Sequence, residues 1–206
     1  AYSGHDPAHE GGRDPGGLTL RNGFAILNGK LMRMMGTQAT ASCGAVIAHH
    51  QAPLAAVRRE LHAAEQRAKN EGGRDAFSIT IIKRSGGALR LTANWGEPVA
   101  LLNDLRAFLA ADGVSRRAAY HTLEWLDAQT LPAPEGDGAM LQSLLAYQLD
   151  RQAGGPAKAQ AAPLALRLTA QTLNQPAAQR IGWLRNFISV AEFLAREVRT
   201  SAAEAP

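Results

Sequence analysis

MMGTQATASCGAVIAHHQAPL, Met34 to Leu54, is the stretch on which the fold turns. A run of small residues ends in His49-His50, and Pro53 follows after Gln51-Ala52. From Thr40 to Ala48 the side chains alternate, which predicts a strand. One face carries Ala41, Cys43, Ala45 and Ile47; the other carries Thr40, Ser42, Gly44 and Val46. Both faces are small, so a helix or a ligand can approach either one closely. Successive strand side chains point to opposite faces. If the strand persists to its last residues, His49 and His50 diverge and cannot share one metal. Pro53 then suits the first turn of a helix. The expectation is a strand end turning into a helix, with His49 and His50 as candidates for facing a ligand.

Reading outward, Pro53 to about Glu71 has helical spacing and is predicted to bury Leu54, Val57, Leu61, Ala64 and Ala68. Arg58, His62, Glu65 and Lys69 form a polar stripe on its flank, and Gly72-Gly73 supplies a left-handed stop. Phe77 to Lys83 (FSITIIK) is a second strand, rich in β-branched residues. Ser85-Gly86-Gly87 turns the chain into a hairpin partner, Ala88 to Ala93. Upstream, Leu18 to Met35 suggests short extended pieces around the turn dipeptides Asn22-Gly23 and Asn28-Gly29. Residues 1–17 are rich in Gly, Pro, His and Asp and read as a loop. Its His5, Asp6, His9, Glu10 and Asp14 have no fixed geometry from which to build a metal site.

After Trp95 the pattern becomes helical. Pro98 to Ala111 places Val99, Leu102, Leu105 and Leu109 on one side, and Asp112-Gly113 breaks it. Ser115 suits the N-cap of a helix running to about Gln129. The loop Leu131 to Gly138 leads to a helix from Met140 to about Gln152. Residues 153–163 (AGGPAKAQAAP) read as a linker or mobile loop, followed by a short helix from Leu164. A last helix, about Pro176 to Thr200, puts Ile181, Leu184, Ile188, Ala191, Leu194 and Val198 on one face. Leu101, Trp125 and Phe193 lie off these stripes, where a core role is favoured over a contact role. Arg116, Arg117, Arg167 and Arg185 read as solvated helix faces, with RNA contact as the weaker alternative. The fold class is α+β to residue 95 and an all-α bundle over 96–206.

Bulk properties narrow the field. With 206 residues, 46% of them hydrophobic, the chain can bury a proper core. A single cysteine, Cys43, rules out a disulfide framework and points to a reducing, cytoplasmic compartment. A net charge of +4 and a pI near 9.6 are compatible with nucleotide or nucleic-acid contact. No apolar run has the length of a membrane span and no signal peptide is visible, so no membrane partner is expected. The chain begins Ala1-Tyr2, which suggests a segment of something longer.

Three stretches together carry a resemblance: RMMGTQATASCGAVIAHHQAPL, AEQRAKNEGGRDAFSITIIKRSG, and the helical portion ending WLRNFISVAEFLAREV. They resemble the C-terminal part of the CRISPR polymerase, the large palm-containing subunit of type III-B (Cmr-type) effector complexes. The likeness is good over about residues 18 to 95, and the helices beyond match mainly in position. That family's palm is similar to the diguanylate type of nucleotide cyclase, which makes the fold expectation a partial, ferredoxin-like palm. In both, a T-x-S-x-G strand precedes a helix ending A-K-x-x-G-R. Here these are Thr40-Ala41-Ser42-Cys43-Gly44 and Ala68-Lys69-Asn70-Glu71-Gly72-Gly73-Arg74, with one extra residue between lysine and arginine.

The resemblance implies cyclic oligoadenylate synthesis from ATP when the complex binds target RNA. It assigns Ser42, Gly44, Lys69 and Arg74 to nucleotide binding. Phosphoryl transfer needs cations on the triphosphate and carboxylates on divalent metal. The family's Gly-Gly-Asp-Asp turn is absent from these residues, so no catalytic or metal-binding residue is assigned within them. Mg or Mn would be held by carboxylates outside the segment. The small helical subunit, guide RNA and target RNA are the implied partners. Two alternatives stand beside this one: a degenerate palm that only holds other subunits, and, more remotely, a histidine-based metal hydrolase.

Overall fold

The computed structural model describes residues 19–21, 24–33, 39–84, 86–128 and 138–204. The chain forms two compact units, Ala1–Ser42 and Cys43–Pro206. In the first, β1 (Thr19–Arg21), β2 (Phe24–Leu27) and β3 (Lys30–Arg33) pair in sequence as an antiparallel sheet. Asn28 and Gly29 join β2 to β3 with φ of 50° and 75°. Two consecutive left-handed residues give the turn the twist that antiparallel strands need, which is why Asn-Gly stands there. The loop read over residues 1–17 lies outside the described residues.

The second unit begins with β4 (Cys43–Ile47), α1 (Leu54–Asn70), β5 (Ala76–Ile82) and β6 (Ala88–Asn94). The sheet order is β4-β5-β6, with β4 parallel and β6 antiparallel to β5. The strand, helix, strand, strand order read from the sequence is therefore the order found. Register decides what each face does. Cys43–Phe77–Ala93, Ala45–Ile79–Leu91 and Ile47–Ile81–Leu89 share one apolar face. Gly44–Ser78–Thr92 and Val46–Thr80–Arg90 share the other, which is small and polar.

The β5 and β6 side of the apolar face joins the main core, whereas Cys43 and Ala45 of β4 stay exposed. It packs with α2 (Glu97–Ala110), α3 (Ala118–Ala128), α4 (Ala139–Gln152), α5 (Ala161–Leu173) and α6 (Arg180–Glu204). Leu91, Leu105, Phe108, Leu168, Leu184 and Phe187 are all but fully buried. Each such side chain contributes about 1.5–3 kcal/mol of transfer free energy. α6 is also tied to the sheet, because the Trp183 indole N–H donates to the Thr92 carbonyl at 2.9 Å. The core therefore runs without a gap across the change in composition after Trp95. The architecture is mixed α/β, with small sheets and several helices, consistent with a palm-like portion plus helices.

Several expectations are corrected. Ala64 and Ala68 of α1 are buried, but Leu54 is 71% and Leu61 44% exposed. The polar sheet face draws the helix in through its alanines together with Glu60 and Arg67. The helix is thus rotated away from its leucines. Residues 153–163 are not a linker: Gly155–Gln160 is a 3-10 helix that runs into α5, with Ala157 and Ala161 buried. Gly113 makes this possible, because a Cβ there would lie 2.7 Å from the Gly154 carbonyl oxygen, and the Gly154 N–H donates to the Gly113 carbonyl. Val99 is 38% exposed, whereas off-stripe Leu101 is fully buried. Arg167 is no solvated cation; it bonds Glu97 at 2.5 Å and Asp104 at 2.6 Å and clamps α5 to α2.

Candidate functional site

β4 meets α1 at its glycine. A Cβ built on Gly44 would lie 2.5 Å from the Glu65 backbone nitrogen and 3.0 Å from the Ala64 carbonyl carbon. The room above Gly44 is thus filled by the helix, and the missing side chain is what lets α1 sit down on the sheet. Ser42, half-buried, immediately precedes the strand.

The last turn of α1, just beyond this contact, carries the cation. The Lys69 ammonium donates to Glu65 Oε1 at 2.5 Å, one turn back, and both side chains are about two-fifths exposed. The His62 ring lies 3.7 Å from the other Glu65 oxygen. The hydrogen bond and charge of Lys69 hold the Glu65 carboxyl below its ordinary range, with His62 adding to the effect. The same residue thus presses its backbone on Gly44 and engages Lys69 with its carboxylate.

Beyond Asn70 the chain makes a strained turn. Gly72 is half-buried, and a Cβ there would lie 2.5 Å from that of Ala76. Gly73, Arg74 and Asp75 then follow with φ of 69°, 66° and 47°. A non-glycine residue in that region costs about 1–2 kcal/mol. Such strain persists only where the surroundings impose it. The imposition comes from β6. Asn94 Nδ2 donates to the Gly72 carbonyl at 3.0 Å and to that of Asp75 at 3.4 Å. The Trp95 N–H also donates to the Asp75 carbonyl, at 3.2 Å. Arg74 is therefore an exposed cation on a braced loop, one turn of chain beyond Lys69.

Behind the loop lies a polar network that sequence reading did not find. Arg67 Nε donates to Ser78 Oγ at 3.3 Å and its Nη2 to Thr80 Oγ1 at 2.5 Å. Thr92 Oγ1 donates to the same Ser78 oxygen at 3.0 Å. Ser78 and Thr80 are fully buried, so these bonds satisfy hydroxyls that water cannot reach. Burial, and then the neighbouring Arg90, pull the Arg67 pKa down. Arg90 in turn pairs with Glu60 at 3.0 Å. The signal was present in period 2: Ser78 and Thr80 alternate with Phe77, Ile79 and Ile81, which marks one side of β5 as polar.

The histidines sit elsewhere. β4 stops at Ile47, so the two rings leave extended geometry and stack, with centroids 4.2 Å apart. This corrects the expected divergence of His49 and His50. The Gln51 N–H donates to His49 Nδ1 at 3.3 Å, so the neutral ring carries its proton on Nε2. Among the described residues no group of three or more His, Cys, Asp or Glu is placed to hold a metal. β5 starts directly after the Arg74 loop and runs parallel to β4, which leaves Lys69 and Arg74 at the start of the strands. The histidines follow the strands' other end, roughly 15 Å away at about 3.3 Å per residue. The structure does not bring the two groups together.

Residues 19–78 match the family described as Cas10/Cmr2, second palm domain. The match runs from β1 into β5 and includes α1 and the Arg74 loop. It supports a Cas10/Cmr2-type large-subunit fragment. No curated protein matches the chain.

Proposed function

We propose that this chain, a Cas10/Cmr2-type large-subunit fragment by its second-palm match over residues 19–78, works in a type III CRISPR RNA-guided effector complex. Within it, Lys69 and Arg74 grip the phosphates of ATP for cyclic oligoadenylate synthesis. The observation that carries this reading is the Gly73-Arg74-Asp75 turn, three left-handed residues in succession. Braced by Asn94, it holds an exposed arginine five residues past Lys69, beyond the end of α1. An arginine fork suits a phosphate bidentately, and lysine meets it as a point charge. Lys69 exchanges Glu65 for phosphate at little cost, because an exposed ion pair contributes little to stability.

In the reaction, the 3′-hydroxyl of one ATP attacks the α-phosphate of the next and pyrophosphate leaves. Mg or Mn, held by carboxylates outside this segment, supplies charge neutralisation when bound. The chain's own contribution is positioning. Gly44 seats α1, Arg67 locks the helix to Ser78 and Thr80, and Ser42 stands at the entry to the strand. Among the described residues β4 pairs only with β5, which leaves an edge for the hairpin that would complete a cyclase-type palm. The portion from residue 96 onward is proposed to contact the small helical subunit and the RNA-bound backbone.

The test is Mg-dependent ATP binding by the intact complex with Lys69→Ala. The expected outcome is at least tenfold weaker binding with the complex still assembled. Unchanged binding would overturn the phosphate role. It would favour the scaffold reading, whose one supporting observation is that Glu65 already engages Lys69.

A further inference from the structure

A cleft of about 740 Å³ opens where β4 and β5 end, at the far end of the sheet from Lys69 and Arg74. That volume lies within the roughly 300–1,000 Å³ of small-ligand pockets. Its floor is the end of the apolar sheet face, Ile47, Ile81 and Leu89, and Leu123 of α3 and Phe193 of α6 line it too. Ile47 and Leu89 pack on the core yet stay only half-buried, so the core is left open here.

The polar lining is lopsided. Lys83 and Arg84, from the turn between β5 and β6, line the cleft, and neither forms an ion pair among the described residues. His49 lines it as well and, with Nδ1 occupied by the Gln51 N–H, has a donor at Nε2. The carboxylate in the lining, Glu192, is 8% exposed and bound to Arg196 Nη2 at 3.1 Å. The Arg196 guanidinium also lies 5.7 Å from the centre of the Phe193 ring. The acidic group is thus neutralised from within, and two cations and a ring N–H are left over an apolar floor.

We propose that this cleft is a second ligand site, taking a small anion that carries a flat apolar body. The body covers Ile47 and Leu89, the half-buried part of the floor, and removes them from water. The charged group meets Lys83, Arg84 and His49. A carboxylate and a phosphate share this chemistry, and pockets of this kind combine a mostly apolar wall with a few placed polar groups. The site shares no residue with the ATP grip and does not depend on it.

The probes are 2-naphthoate, 2-naphthyl phosphate and the neutral 2-naphthylmethanol, titrated into the 206-residue chain by calorimetry and ligand-observed NMR. At least one anion is expected to bind at least tenfold more tightly than the neutral compound. Lys83→Ala combined with Arg84→Ala, both on an exposed turn, should remove that advantage and leave the neutral compound unchanged. A phosphate preferred over the carboxylate supports a phosphorylated ligand, and the reverse supports a carboxylic acid. Failure of both anions to bind, or anion binding that survives the double substitution, overturns the proposal.

Discussion

Gly44 lies directly beneath the backbone of Glu65: a Cβ on the glycine would come 2.5 Å from the Glu65 nitrogen. The close approach of β4 and α1 thus sets the height of the helix over the sheet. It also sets the position of Lys69, one turn further along. Gly44→Ala forces the helix outward, since backbone cannot step aside as a flexible side chain can. The expected loss is about 1–3 kcal/mol, the usual range for overpacking. Urea denaturation reads it, and a stability equal to the parent's would show that the helix does not sit as closely as described.

Arg67 holds two buried hydroxyls with one guanidinium. Arg67→Leu strands Thr80 Oγ1 and should cost about 1–3 kcal/mol, the penalty for an unsatisfied buried polar group. Arg67→Lys can serve one hydroxyl at a time and should recover part of the loss. Thermal melts of the two variants decide the matter; equal melting temperatures for leucine and lysine would mean that packing, not hydrogen bonding, matters there.

The Glu65 carboxyl is held low chiefly by Lys69. A carboxyl depressed in the folded state stabilises above its unfolded pKa, and that contribution is lost as pH falls through the folded value. Lys69→Met should therefore move the Glu65 titration upward towards the ordinary carboxylate range and flatten the acid arm of the stability profile. NMR titration of the Glu65 side chain measures this directly. A midpoint that stays put in the variant would assign the shift to something other than Lys69.

Arg74 separates function from stability. Its φ of 66° disfavours every residue but glycine and a few small polar ones. Arg74→Gly should leave stability unchanged or raise it by up to about 1 kcal/mol, since relief of strain is partly offset by chain entropy. On the proposed function the same change weakens ATP binding. A variant that is more stable and binds ATP as well as the parent would make Arg74 a surface residue and nothing more.

Much of this was legible in the chain. Alternation from Thr40 and in FSITIIK, with helical spacing between them, gives the strand–helix–strand order, and Gly72-Gly73 marks where the helix stops. The helical turn of α1 about its own axis was not legible. Apolar periodicity assumes that leucines face inward, but β5 offers Ser78 and Thr80, and Arg67 answers them better than Leu61 does. Small residues misled in both directions. Gly44 was equally consistent with a ligand and a helix above it. The alanines of 153–163 gave no apolar signal, although small side chains are what let that segment pack. The stacked histidines were missed because the strand ends at Ile47, before its alternation could separate them.

The phosphate role of Lys69 is tested most directly by one measurement: oligoadenylate formed by the target-RNA-activated complex carrying Lys69→Ala, with target RNA binding measured on the same preparation. A product yield at least tenfold lower, with RNA binding intact, is the predicted result. Full product yield from a complex that lacks the lysine would contradict it.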